Sequence, residues 1–147
     1  MAAPAESGAR PALVAVLLSF VAGYVDTVGF VSLFGLFTAH VTGNLVLIGA
    51  TLIHSRHGFV TKLSALPVFV LVVGATALYA RARAAAGRRA LPGALLAQLL
   101  LLAGFAAVGL AASPITDADA PLAVAAGLLG VAAMSVQNAA SRLLMAE

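Results

Sequence analysis

Long apolar runs and short polar breaks alternate along the chain. The breaks hold most of the charged residues and fall at residues 54–62, 81–93 and 113–121. The apolar blocks cover residues 11–53, 63–80, 91–112 and 121–141. Because about 20 apolar residues in an α-helix cross the hydrocarbon core of a bilayer once, each of the last three blocks is near the length of one span. The pattern predicts an all-α, polytopic transmembrane helical bundle with four or five spans.

The first apolar block is too long for one crossing and just long enough for two short ones. Glycines at positions 29, 35 and 43 weaken a continuous helix, and Gly43-Asn44 is a turn-type dipeptide. A break within this block is therefore expected.

The charges at the ends of the blocks predict how the chain is oriented. The arginine-rich break at 81–93 should be cytoplasmic, whereas the break at 113–121, with two aspartates and no Lys or Arg, should face outward. Arg10 also favours the inside, which makes the first block cross an odd number of times. We predict one crossing with a broken or re-entrant segment, and two ordinary spans are the alternative.

The composition agrees with a membrane protein. Hydrophobic residues make up 63% of the chain and charged residues 9%, where soluble domains carry about 25% charged residues. The net charge of +3 lies at the ends of apolar runs without interleaved aromatic residues, so no nucleic-acid partner is expected. The predicted partner is the lipid bilayer, and the predicted location is the inner (plasma) membrane, with several passes.

The chain should form one transmembrane domain over residues 11–147. Residues 1–10 read as a polar, disordered tail. Arg10 followed by an apolar stretch is also typical of a signal peptide, but the apolar character resumes after Asp26 and continues to Ile53, which favours an uncleaved first span.

Asp26 is the most unusual residue of the first block. A carboxylate near the middle of a span costs on the order of 3 kcal/mol on insertion scales, so it should face the protein interior and find a partner. Candidate partners are Thr27, Ser32, His40 and Asn138. Asp26 is predicted to be a proton or cation site. The alternatives are a structural clamp between helices and a position near the membrane interface.

The stretch "TAHVTGN" supplies His40, Thr42, Gly43 and Asn44 within five residues. Non-helical backbone at membrane depth is tolerated where it is buried in protein or lines a cavity. These residues either line a path for a solute or ion, or form a satisfied turn.

The last apolar block contains Gln137 and Asn138, which either line the same path or hold helices together. Gln98 should form an interhelical hydrogen bond. Sequence motifs of phosphate binding, metal ligation and nucleophilic catalysis are missing, so neither an enzyme nor a metal or other cofactor is expected.

Two stretches resemble the YoaK-like (DUF1275) family of bacterial membrane proteins, whose function is uncharacterised. The first is "AGYVDTVGFVSLFGLFTAHVTGNLVLIG", which matches the opening signature of that family through Gly23, Tyr24, Val25, Asp26, Phe37, Ala39, His40, Thr42, Gly43 and Asn44. The second is "AMSVQNAASRLL", which matches through Gln137, Asn138 and Ala139.

In that family the second signature leads into another TGN-like turn and further spans. The resemblance therefore implies a chain truncated at the C-terminus, in which a second copy would have to cover Gln137 and Asn138. A homo-oligomer is thus an open alternative. Under the odd-crossing topology the two signatures are inverted, an arrangement that many secondary transporters use.

The sequence favours a transporter- or permease-like membrane protein for an unknown small solute. The residues predicted to line its path are Asp26, His40, Thr42, Gly43, Asn44, Gln137 and Asn138. The rival hypothesis is a non-transporting membrane scaffold or assembly subunit, in which the same polar residues only hold helices together.

Overall fold

A computed structural model describes residues 6–54 and 58–144, and the side chains of residues 12–50 and 58–143. The described residues form five α-helices: α1 (Glu6–Ser32), α2 (Val41–His54), α3 (Phe59–Ala85), α4 (Leu91–Ala112) and α5 (Pro121–Leu144). Part of the predicted N-terminal tail, residues 1–5, lies outside the described residues, as do Arg56 and His57 of the break at 54–62.

Within this described part, four helices are long and apolar enough to cross a membrane: α1, α3, α4 and α5. The remaining helix, α2, has 14 residues. It measures about 21 Å at about 1.5 Å per residue, less than the hydrocarbon core of about 30 Å. The predicted class, a polytopic membrane bundle with a broken first block, is confirmed.

The helix ends follow from local sequence. Pro92 stands in the first turn of α4 and Pro121 at the first residue of α5, where a missing backbone N–H does no harm. The third helix continues to Ala85, past the predicted end of its apolar block, because alanine and arginine are both strong helix formers. Gly87, in the left-handed conformation with φ +65°, then ends it.

Helix α5 is the centre of the bundle. In the most apolar stretch of α5, 56% of the residues are buried inside the bundle. The corresponding share in the other three long helices is 17% or less. Leu18 of α1 contacts Gln137, and Leu33 lies beside Gly127, so α1 runs antiparallel to α5. Thr61, near the start of α3, bonds Ala118 just before α5, so α3 and α5 start at the same end.

The arginine-rich α3–α4 connection and the aspartates of the α4–α5 connection lie at opposite ends of the bundle. One end holds the start of α1, the α3–α4 connection with its arginines, and Arg142 in the last turn of α5. The other holds Asp117 and Asp119 together with Gly58, whose N–H donates to Asp119 Oδ2 at 3.3 Å. Since α1 and α3 begin at opposite ends, residues 11–53 make one net traverse of the bundle, as an odd number of crossings requires.

The break falls at residues 33–40, here called the return segment. Phe34 (φ +54°) and Gly35 (φ +81°) adopt left-handed conformations and reverse the chain after α1. The chain then folds back along α1 until Thr38 meets Asp26, and α2 begins at Val41.

Two glycines make room for the return segment. A Cβ on Gly29 of α1 would lie 2.9 Å from Thr38 Cγ2, and a Cβ on Gly130 of α5 would lie 3.0 Å from the same atom. Thr38 is fully buried between the two helices. The missing side chains therefore let the segment sit in the bundle interior, where non-helical backbone is tolerated.

Candidate functional site

The carboxylate of Asp26 organises the return segment. Its Oδ1 accepts hydrogen bonds from Thr38 N at 2.6 Å, Ala39 N at 2.7 Å and Thr38 Oγ1 at 3.2 Å. Asp26 is 6% exposed. Hydrogen bonds to an ionised acceptor are about twice as strong as neutral ones, so a buried carboxylate is a strong acceptor for amides that have no helical partner.

The second oxygen of the same carboxylate pairs with His40. Asp26 Oδ2 lies 2.6 Å from His40 Nδ1. Because Oδ1 already accepts three donors, the arrangement fits an ionised Asp26 that receives the Nδ1 proton of His40. The Nε2 atom of the ring is then directed away from the carboxylate, and 75% of the His40 side chain is exposed. A carboxylate on Nδ1 fixes which nitrogen of an imidazole is free to accept a proton.

This pair lies at membrane depth. The span in α1 runs from Ala12 to Ser32, so Asp26 is four residues past its midpoint. At about 1.5 Å per residue this is about 6 Å from the centre of the span, well within a hydrocarbon core of about 30 Å. Ionisable side chains at such depth are expensive and are most often functional.

Asn44 fixes the other side of the break. Its Oδ1 accepts from Phe37 N at 2.9 Å, and its Nδ2 donates to Phe37 O at 2.8 Å. The buried amide of Asn44 thus replaces both backbone hydrogen bonds that Phe37 would have in a helix. Asn44 holds the return segment onto the first turn of α2.

A groove of about 600 Å³ opens beside the pair, between α1 and α2. It is lined by Gly23, Asp26, Thr27, Phe30, Phe37, His40 and Gly43. The rings of Phe30 and Phe37 lie 4.9 Å apart, and the His40 ring stands edge-on to Phe37 at 6.5 Å. A Cβ on Gly43 would lie 2.8 Å from the Phe37 ring, so the absence of a side chain lets that ring pack against α2.

A second groove, of about 920 Å³, lies on the α4 side of α1. It is larger, and its lining combines aliphatic and aromatic side chains with the polar residues Tyr24, Ser32 and Ser113. It contains none of the residues predicted from the sequence to line a path. The candidate site residues Asp26, His40 and Gly43 line the smaller groove.

The predicted site residues fall into two groups. Asp26, His40 and Gly43 line the smaller groove, and Asn44 braces it. Thr42 lies beside them on the first turn of α2 with its side chain exposed.

Gln137 and Asn138 lie elsewhere. Gln137 Nε2 donates to Leu18 O at 2.7 Å, eight residues before Asp26 on α1, or about 12 Å along the helix. Gln98 Nε2 donates to Gln137 Oε1 at 2.6 Å, which confirms the interhelical hydrogen bond expected of Gln98. The Asn138 side chain is exposed on α5. The structure therefore does not bring these two residues to Asp26.

Several participants were not assigned to the site from the sequence. The backbone of residues 38–39 supplies the main donors to Asp26, and Phe30 and Phe37 form the walls of the groove. Lys62, read as part of a polar loop, is buried in the first turn of α3 and donates from Nζ to Phe34 O at 2.8 Å. The position of Lys62 one helical turn after Gly58, where α3 starts, is the sequence signal that could have placed it in the helix.

Comparison with known proteins gives one match. A family model described as "Protein of unknown function (DUF1275)" matches residues 14–147. No curated protein and no solved structure matches the chain. Among the described residues, no group of three or more His, Cys, Asp or Glu side chains is placed to hold a metal ion.

Proposed function

This chain belongs to the DUF1275 family of proteins of unknown function, and from that premise we propose that it is a proton-coupled, permease-like protein for a small solute. It is an integral membrane protein with four apolar helices long enough to span a bilayer. In the proposal it resides in the inner membrane, with the arginine-rich end of the bundle in the cytoplasm.

The observation that carries the proposal is the Asp26–His40 pair. An imidazole held through Nδ1 by a carboxylate, with most of its ring exposed to a groove, can take up and release a proton at Nε2. Chains of Asp, Glu and His at membrane depth are the usual proton carriers of pumps and transporters. His40 is the proton-accepting group in this mechanism, and Asp26 positions it and offsets its charge.

The fold around the pair supports the same function. The pair sits where the first apolar block is interrupted, and the two helices that bear the family signatures, α1 and α5, run antiparallel. Interrupted segments near the midplane and inverted elements are typical of secondary transporters. Of the residues predicted for the path, Asp26, His40, Gly43 and Asn44 belong to this mechanism, Thr42 lies outside the groove lining, and Gln137 serves to join helices.

One observation favours the rival function, a non-transporting scaffold or assembly subunit. All four hydrogen bonds of Asp26 go to the return segment, which is what a structural clamp requires. The two functions make different predictions for His40→Asn, because an amide can keep the fourth hydrogen bond of the clamp but cannot carry a proton.

The test uses purified protein in liposomes that contain a pH-sensitive dye. Inward gradients of Na⁺, K⁺, mixed amino acids, sugars and small carboxylic acids are applied one at a time. We compare the unmodified chain with His40→Asn, whose amide can still donate to Asp26 Oδ2 but cannot carry a proton. Thr42→Ala is the matched control, since it removes an exposed polar side chain two residues away.

A permease should move protons with at least one of these probes, in the unmodified chain and in Thr42→Ala alike. His40→Asn should lower that flux at least about ten-fold, within the range of about 10²–10⁴ for loss of a proton-transfer group. Equal flux in His40→Asn would remove His40 from the mechanism. A well-folded chain that moves protons with none of the probes would favour the scaffold.

A further inference from the structure

We propose that the groove between α1 and α2 binds a small aromatic or apolar solute that carries one weakly acidic N–H or O–H group. This rests on the proposed function, because it names the chemical class of the solute. The argument uses the walls of the groove, its hydrogen-bond acceptors and its position in the membrane.

The walls offer apolar contact. Phe30 and Phe37 form a tilted aromatic pair, Gly23 presents bare backbone on α1, and the Phe37 ring packs on Gly43 of α2. Thr27 also lines the groove, but its hydroxyl donates to Gly23 O at 2.8 Å within α1. Its donor is therefore committed, and a solute in the groove meets mainly rings and methylene groups. Aromatic solutes gain most from such walls, since they can stack on or stand against both rings.

The groove offers hydrogen-bond acceptors, namely the lone pairs of Thr27 Oγ1 and, in this proposal, His40 Nε2. Both oxygens of Asp26 already accept hydrogen bonds, and the residue is buried. With the Nδ1 proton assigned to the contact with Asp26 Oδ2, the neutral ring presents the lone pair of Nε2, which is a hydrogen-bond acceptor. A solute that complements it must supply the donor. At membrane depth such a bond is stronger than in water, because the surroundings have a low dielectric constant.

The size and position of the groove fit this class. Its volume of about 600 Å³ lies within the range of about 300–1,000 Å³ that small-molecule sites occupy. The groove opens on the side of the bundle, about 6 Å from the centre of the α1 span. An apolar solute with one weak donor partitions into hydrocarbon readily and can enter from the bilayer, whereas a phosphate or a sugar cannot.

Indole and 1-methylindole test the proposal as a matched pair of probes. They have nearly the same shape, but 1-methylindole lacks the N–H. The chain contains no tryptophan, so indole fluorescence comes from the probe alone. Binding is measured by equilibrium dialysis against protein in lipid nanodiscs, with protein-free nanodiscs subtracted to remove partitioning into lipid.

Indole should bind about five-fold more tightly than 1-methylindole, the effect of one net hydrogen bond. In His40→Ala this preference should disappear while some affinity for both probes remains. Equal affinity of the unmodified chain for the two probes would overturn the assignment of Nε2 as the acceptor.

Filling the groove tests its location. A Cβ on Gly23 has no atom within 4 Å, and the same is true of Gly74 on α3. Gly23→Leu should therefore fill the groove without disturbing the fold and weaken indole binding about ten-fold or more, while the control Gly74→Leu should not. Unchanged binding in Gly23→Leu would show that indole binds elsewhere and would overturn the proposal.

These results are separable from the test of proton coupling. Selective indole binding without proton movement, with an indole gradient added to the probes of the liposome test, would leave the solute class standing and reject the permease. Proton movement with other probes, but no selective indole binding, would reject only the solute class.

Discussion

The Oδ1 atom of Asp26 and the backbone N–H of Thr38 are joined by a 2.6 Å hydrogen bond that links the last third of α1 to a segment leaving that helix. Asp26 also accepts hydrogen bonds from Ala39 N and His40 Nδ1. Together these bonds supply partners to a non-helical stretch at membrane depth, where a helix would satisfy its own backbone groups. The interruption of the first apolar block is therefore an ordered part of the bundle. Its stability can be tested apart from any activity.

Gly29→Ala should destabilise the bundle by about 1–3 kcal/mol, the usual effect of an added methyl group in a packed core. Its Cβ would lie 2.9 Å from Thr38 Cγ2 and 3.1 Å from the backbone oxygen of Leu36. Gly74→Ala is the control, since open space surrounds that position and alanine favours helix by up to about 1 kcal/mol. Heating GFP-tagged protein in detergent and following it by size-exclusion chromatography measures both. A Gly29→Ala variant as stable as Gly74→Ala would contradict the described packing.

Asn44→Ala should lower stability by at least about 2 kcal/mol, because it leaves both the N–H and the C=O of Phe37 without their partner. Asn44→Asp should also be destabilising, since a carboxylate can accept from Phe37 N but cannot donate to Phe37 O. The control is Asn138→Ala, which removes an exposed amide from α5. The same heating assay applies. Equal losses of stability for Asn44→Ala and Asn138→Ala would show that the Asn44–Phe37 hydrogen bonds do not stabilise the bundle.

Gln98 and Gln137 should show a favourable coupling of about 0.6–1.7 kcal/mol in a double-mutant cycle, the range seen for hydrogen bonds between membrane helices. The cycle compares Gln98→Leu, Gln137→Leu and the double variant. Gln137→Leu alone should be the more harmful single change, because it also removes the bond to Leu18 O. Strictly additive losses would mean that the two amides do not interact.

Single cysteines can test the orientation of the bundle, because the native chain has none. Thr116→Cys and Ala86→Cys introduce exposed thiols at opposite ends, and Ser7→Cys lies on the first turn of α1. In intact cells a membrane-impermeant thiol reagent should label Thr116→Cys, and it should label the other two only after the membrane is opened. Labelling of Ser7→Cys and Thr116→Cys from the same side would contradict a single net crossing by residues 11–53.

The apolar pattern was enough to predict the long helices. The boundaries of α4 agree with the predicted block 91–112, because proline and a run of apolar residues define that helix without help from its neighbours. The break in the first block was also predictable from Gly35 and the polar residues that follow it. The turn expected at Gly43-Asn44 was wrong, because both residues lie in the first turn of α2.

The partners within the site could not be predicted in the same way. The main donors to Asp26 are backbone amides of residues 38–39, which any sequence would supply, and only the reversal at Phe34 and Gly35 brings them there. Asn138 was a plausible partner by composition, but the rotation of α5 buries Gln137 and exposes Asn138. Whether a given side chain on such a helix is buried or exposed depends on how the helix packs against neighbours that are distant in sequence.

The packing of Thr38 has a consequence for the order of membrane insertion. Thr38 packs between Gly29, which is synthesised just before it, and Gly130, which is synthesised much later. During synthesis the return segment therefore lacks half of its surroundings until α5 leaves the ribosome and enters the bilayer. The hydrogen bonds between Asp26 and residues 38–40 can form within the first third of the chain, but that third reaches its final packing only after α5 is in place.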